Sequence, residues 1–233
     1  MISKGLMSVE LVDHMGSDLS VVNAARVSFD KHHEEFEGVG DEKLIRYLAK
    51  HDHWSPFAHT SLQLRYTVPI FVARQEFKHI VGFVRNEVSR RYVDDAPFFY
   101  YPEEWRGAPE GSMKQGSSDK IVEEIFWTKE AEFGEGAKGI MKTNDFVAAG
   151  YKDALFRYNT LLDNGVAPEQ ARMVLPQAMF TSYYITGSLP AFTRFLKLRL
   201  DTHAQKEIQD LAKMVAPHVE ERFPISYKEL MNV

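Results

Sequence analysis

The chain has 233 residues, 44% of them hydrophobic, enough for one large domain with a real core and too many for a disordered segment. Its 28 basic and 33 acidic residues leave a net charge of −5, which argues against a general nucleic-acid binder, whose footprint is basic. There is no cysteine, which excludes disulfides, thiolate metal sites and a cysteine nucleophile and is compatible with a reducing cytoplasm.

The N-terminal stretch MISKGLMSVELVDHMGSD carries charge within its first residues and lacks a long apolar core, so it does not read as a signal peptide. No apolar run approaches the roughly 20 residues of a membrane span. Leu44, Ile45, Leu48 and Ala49 recur at helical spacing behind Asp41, predicting a helix with Asp41 as its N-cap. In SLQLRYTVP, Leu62, Leu64, Tyr66 and Val68 alternate with Gln63, Arg65 and Thr67, the pattern of a half-buried strand. Pro69 ends it and suits the first position of a following helix. IFVARQEFKHIVGFV has no polar alternation and predicts a largely buried helix, weakened near Gly82.

EEWRGAPEGSMKQGSSDK and EEFGEGAKGIMKTND are rich in Gly and charge and read as surface loop, giving a loop-rich variable segment near 104–145. YKDALFRYNTLLDNG predicts a helix closed by Asn164 and Gly165. PEQARMVLP is a short helix bounded by Pro168 and Pro176. MFTSYYITGS is a strand by its aromatic and β-branched content. LPAFTRFLKLRL and HAQKEIQDLAKMVAPHVEERF are amphipathic helices. Mixed elements without regular alternation favour α+β over a doubly wound sheet.

The chemistry-bearing stretch is NEVSRRY. Arg90 and Arg91 beside Ser89 have the make-up of a phosphate grip, since guanidinium groups bind phosphate bidentately and a hydroxyl adds a hydrogen bond. The other reading is a solvated helix end with surface ion pairs. Glu87 would accept from the same ligand or pair with an arginine. HDHWSPFAH sets His51, His53 and His59 close together, but the spacing matches no common zinc pattern. Histidines beside Trp54 and Phe57 suit holding a planar ring, or are ordinary half-buried residues. Neither a P-loop, nor GxGxxG before a helix, nor GxSxG occurs.

Taken together AARVSFD, HDHWSPFAH, PIFVARQ, NEVSRRY, EQARMVLP and LRLDTHAQKEI resemble the flavin-dependent thymidylate synthases, the thymidylate synthase-complementing proteins. The resemblance covers most of the chain outside about 104–145. It implies a single domain over 1–233, with helices packed on a mostly antiparallel sheet. It also implies the reductive methylation of dUMP to dTMP, with methylenetetrahydrofolate as carbon donor, NADPH as reductant and FAD as hydride carrier. Such a route needs no protein nucleophile, in keeping with the missing cysteines. A cytoplasmic homotetramer with sites shared between subunits is implied too, and no metal. The alternatives are a nucleotide-binding homologue with weakened or lost flavin catalysis, and a flavoenzyme of this fold with a changed substrate.

By the same resemblance, Gln75, Glu87, Val88, Ser89, Arg90 and Arg91 correspond to the dUMP-binding stretch and Arg172 to an arginine on the phosphate side. Arg199 corresponds to the catalytic arginine facing the uracil, and His53 to a catalytic histidine near flavin and folate. Ser55, Lys78, His79, Ile80, Glu87, Ser188, Arg194 and His203 fall on the FAD side. That side departs from the family. Its usual Arg-His-Arg is Lys78-His79-Ile80, and the spacing to Ser89 is one residue longer, as a bulge near Gly82 would make it. Ser188 and Pro190 replace an Asn and an Arg, and Ala58 replaces a Glu. Arg85 and Arg194 are extra cations placed to compensate.

Overall fold

The computed structural model describes residues 4–93, 95–109, 111, 116–129 and 136–233. Contacts divide the chain into a sheet unit, Met7–Val88 with Thr181–Val233, and a hairpin unit, Met1–Leu6 with Ser89–Phe180. The sheet unit opens with β1 (Ser8–Met15), α1 (Asp18–Arg26), α2 (Val39–Lys50) and the single turn α3 (Ser55–Ala58). β2 (Ser61–Pro69), α4 (Ile70–Glu76) and β3 (Phe83–Glu87) follow. The hairpin unit carries β4 (Glu124–Lys129), β5 (Ala137–Lys142), α5 (Thr143–Asp163) and α6 (Pro168–Ala171), which tightens into a 3-10 turn at Arg172–Val174. β6 (Phe180–Ser188), α7 (Leu189–Arg199), α8 (Lys206–Arg222) and α9 (Pro224–Met231) complete the chain.

The main sheet runs β1-β2-β6-β3. β1 with β2 and β3 with β6 are antiparallel. Gln63 donates to Thr186 at 3.1 Å while the Thr67 and Ser182 hydroxyls lie 2.9 Å apart. One set of numbers rises as the other falls, so β2 and β6 are antiparallel as well. This is the expected α+β architecture. Leu62, Leu64, Tyr66 and Val68 are all fully buried, as the period-2 pattern of β2 requires. On β6, Tyr183 and Ile185 point into the same core. α8 supplies Ile208, Leu211, Ala212, Val215 and Val219, a stripe at helical spacing. Each large apolar side chain buried there contributes about 1.5–3 kcal/mol.

Several expectations are corrected. The predicted helix over residues 70–84 stops at Glu76. Gly82 has φ +81, a left-handed conformation that glycine takes without a Cβ clash, and Phe83–Glu87 is a strand paired with β6. Ile80, Val81 and Val84 are therefore exposed rather than buried. The tertiary partner, an open edge of β6, overrides the local apolar pattern. Gly38, not Asp41, is the N-cap of α2. Asp41 lies in the first turn, fully buried, where its carboxylate accepts from the Glu37 N–H at 2.8 Å and from Arg26 at 2.9 Å.

The stretch GAKGIMKTND, read as loop, forms β5 and the start of α5. β5 pairs antiparallel with β4, with Trp127 opposite Gly139, so both strands lie within the segment read as loop-rich. α5 starts at Thr143 rather than Tyr151 and closes on Asn164 and Gly165 as expected, Gly165 having φ +80. The sequence pattern does not predict β1, α1 or α9. Asp18 of α1 fixes the start of α9, accepting from the Ile225 and Ser226 N–H groups at 2.9 Å each. Among the described residues no helix is long and apolar enough to cross a membrane.

Candidate active site

The turn between α4 and β3, residues 77–82, is held from both ends. Glu76, the last residue of α4, has a side chain only 1% exposed. Arg85, at an inward position of β3, donates to its two carboxylate oxygens at 2.9 and 2.5 Å. Tyr183 of β6 adds its hydroxyl to Glu76 at 3.1 Å. The guanidinium lies 5.4 Å from the Phe77 ring centroid and 5.0 Å from that of Phe83. Burial pushes the Glu76 carboxyl up, and the Arg85 and Tyr183 hydrogen bonds oppose that shift. Arg85 also donates to the His79 carbonyl at 2.5 Å.

His79 is half-buried, edge-on to Phe195 of α7 at 5.1 Å. Its Nε2 accepts from Nε–H of Arg199, the last residue of α7, at 2.9 Å. Burial first, then the cations Arg199, Arg85 and Arg194, bring its pKa down to about 4. The ring is therefore neutral near pH 7, with Nε2 as acceptor and the proton on Nδ1. At the end of α4, Gln75 donates to Gln205, which in turn donates to Glu207 at 2.8 Å.

A cavity of about 610 Å³ opens in the sheet unit. Val81 and Gly82 from the same turn form part of its wall, and Arg194 donates to the Val81 carbonyl at 2.6 Å. His53, Ser188 and Arg194, three of the predicted residues, line it together with Trp54, Thr193 and Lys197. Trp54 is 62% exposed, an open aromatic face at the mouth of an otherwise largely aliphatic cleft. Ser188 caps α7 with Pro190 two residues on, which places both replaced family positions on this wall. Arg194 and Lys197, three apart on one helix, share a face.

The other predicted residues are placed as follows. Lys78 and Ile80 are exposed on the turn, and Ser55 opens α3 outside the cavity wall. His203 is exposed, its Nδ1 2.8 Å from Asp201. Glu87 accepts from Thr181 at 2.6 Å, and the Val88 N–H donates to the Ser182 carbonyl at 2.9 Å. Ser89, Arg90, Arg91 and Arg172 belong to the hairpin unit. There the Ser89 hydroxyl accepts from Arg91 at 3.3 Å, Arg90 donates to the Asp95 carbonyl, and the exposed Arg172 donates to the Glu169 carbonyl at 3.3 Å. Arg90 and Arg91 thus sit in a turn, not at a helix end.

His51 and His53 have ring centroids 6.3 Å apart. Arg85, expected to be an extra cation for the cofactor, is already committed to Glu76. Lys197 was legible as a cation one turn from Arg194. Gln205 and Tyr183 were not, because their partners lie far away in sequence.

Fold and site define an α+β enzyme built around arginines, a neutral histidine and a largely aliphatic cleft with Trp54 at its mouth. Residues 10–225 match the family described as thymidylate synthase complementing protein, and the chain belongs to that family. A flavin-dependent thymidylate synthase of Kosmotoga olearia is 38% identical over 224 residues, covering 96% of this chain and 90% of that one. One from Thermus thermophilus is 38% identical over 219 residues, covering 94% and 73%. The crystal structure of a UMP/dUMP methylase, PolB from Streptomyces cacaoi, bound with 5-Br dUMP, superposes with a TM-score of 0.79 at 30% identity, over 100% of this chain and 97% of that one.

Proposed function

We propose that the chain converts dUMP to dTMP by reductive methylation, with methylenetetrahydrofolate as carbon donor and NADPH as reductant through bound FAD. The observation that carries this reading is the hydrogen bond from Arg199 to the neutral ring of His79, which unites two residues of the expected site across 120 positions. The names of the relatives and the dUMP analogue bound by PolB support the same activity.

The cavity residues suit a flavin nucleotide by their chemistry. Trp54 and His53 offer flat faces for a ring, Arg194 and Lys197 offer cations for phosphates, and Ser188 and Thr193 offer hydroxyls. Bound flavin supplies hydride transfer between the reductant and the pyrimidine. The protein supplies binding and charge. Arg199 stays protonated at any working pH and is the group to stabilise negative charge on a uracil ring as hydride arrives. A neutral His79 orients that guanidinium without adding repulsion. Gln75, Glu87, Val88, Ser89, Arg90, Arg91 and Arg172 are assigned to the nucleotide, with the arginines on its phosphate. Ser55, Lys78, Ile80 and His203 stay assigned to the FAD side, where Lys78 is a point charge and Ile80 contributes none.

The family match spans both units, which supports reading the chain as one domain. Assembly into a homotetramer belongs to the same proposal and rests on the family resemblance. A cytoplasmic location belongs to the same proposal. The test is tritium release from C5-labelled dUMP together with dTMP formation, each dependent on added FAD, NADPH and methylenetetrahydrofolate. Absence of dTMP from folded, flavin-loaded protein overturns the proposal.

A further inference from the structure

We infer that Glu76 and Arg85 are positioning residues for Arg199, acting through the backbone and ring of His79. The inference rests on Arg199 serving the nucleotide as proposed above. A carboxylate 1% exposed and a guanidinium 13% exposed are expensive to bury, and such pairs are often replaced by apolar residues of similar volume without loss of stability. Stability alone therefore gives no reason for this pair.

Geometry gives one. Arg85 donates to both Glu76 carboxylate oxygens, to the Glu76 carbonyl and to the carbonyl of His79, with the Phe77 and Phe83 rings beside its guanidinium. The flanks of the turn, Glu76 and Phe83–Glu87, belong to regular elements. The carbonyl of His79 is thus tied to α4 and β3 at once, and the ring is set edge-on against Phe195. Its Nε2 then meets Nε–H of Arg199.

A long arginine at a helix end has many rotamers, and this contact selects among them. Among the described residues, His79 is the hydrogen-bond partner of the Arg199 side chain, and it fixes Nε–H. Loosening the turn would let the guanidinium wander, and misplacement of about 1 Å in a catalytic group costs up to roughly 10²-fold in rate.

The variant to make is Glu76→Leu, Arg85→Met and Tyr183→Phe together, which replaces the whole buried polar group by apolar side chains and leaves no carboxylate unpaired. In arginine-labelled protein without nucleotide, we expect a protected Arg199 Nε–H resonance in the wild type and its loss in the variant. We expect kcat for dTMP formation to fall about 10- to 100-fold with the flavin absorbance spectrum unchanged. In an Arg199→Lys background the triple change should lower kcat no further, because the residue it positions is gone. An unaltered Arg199 signal, or losses that simply multiply with those of Arg199→Lys, overturns the inference. Should the triple variant fail to fold, Arg85→Lys keeps the charge but cannot fork to Glu76 and also reach the His79 carbonyl, and the same two readouts decide. A wild type that makes no dTMP refutes the activity, whereas the resonance still decides the positioning.

Discussion

Arg199 and His79 meet through a hydrogen bond of 2.9 Å, guanidinium Nε–H to imidazole Nε2, although 120 positions separate them. A protonated imidazole has no acceptor, so this contact exists only with His79 neutral. The arginine is thereby aimed by a group that neither repels it nor neutralises it.

Replacing Arg199 by Ala is expected to lower the rate of dTMP formation about 10²–10³-fold, the usual loss on removing one preorganised stabiliser of developing charge. Arg199→Lys should recover little, since an ammonium cannot reproduce the fixed Nε–H and the planar fork of a guanidinium. Single-turnover rates with preloaded flavin measure this. Near-wild-type turnover by Arg199→Ala would show that another residue faces the uracil.

Stability should depend on pH through His79. Its folded pKa is about 4 against an ordinary 6.5. As the pH falls below about 6.5 the unfolded chain binds a proton there that the folded chain refuses until about 4. The contribution of neutral His79 is complete above 6.5 and is lost progressively toward 4. Urea unfolding of wild type and His79→Gln should show a stability gap at pH 7.5 that narrows by pH 5. A gap constant over that range contradicts the neutral, half-buried ring.

Flavin retention should respond to Arg194, which lines the cavity. A charge-assisted hydrogen bond contributes about 1.5–3 kcal/mol, so Arg194→Ala should raise the FAD dissociation constant roughly 10- to 100-fold. Titration of apoprotein with FAD at fixed ionic strength tests it, with equal constants as the contrary result.

Asp18→Ala should loosen the C-terminal helix. The carboxylate accepts from two consecutive N–H groups at the start of α9, and leaving buried donors unpaired costs about 1–3 kcal/mol each. Denaturant midpoints should drop with unchanged slope. Hydrogen exchange should quicken first across residues 224–231, and uniform loss of protection over the whole sheet unit would count against a local anchor.

Period and punctuation made much of this fold legible in the sequence. Leu62 to Val68 alternate because a strand turns successive side chains to opposite faces, and all four apolar ones are buried. Ile208, Leu211, Val215 and Val219 recur as a helix requires, and Asn164-Gly165 closes α5 because glycine enters the left-handed region freely. The family motifs point to Arg199, His79 and His53, while Ser188 stands at a departure from the family and Arg194 as an extra cation. What one-dimensional pattern cannot carry is which distant element offers a partner. Phe83 and Val84 read locally as a continuation of α4, yet the edge of β6 takes Phe83–Glu87 as a strand, because backbone groups left there would otherwise be unpaired. Arg85 reads as a spare cation, yet Glu76 and the two phenylalanines consume it. Asp41 reads as a cap, yet it is buried under Arg26. The two charged cases were decided by desolvation and the strand by backbone pairing: a polar group removed from water must take a complementary one, and only the folded chain determines which group that is.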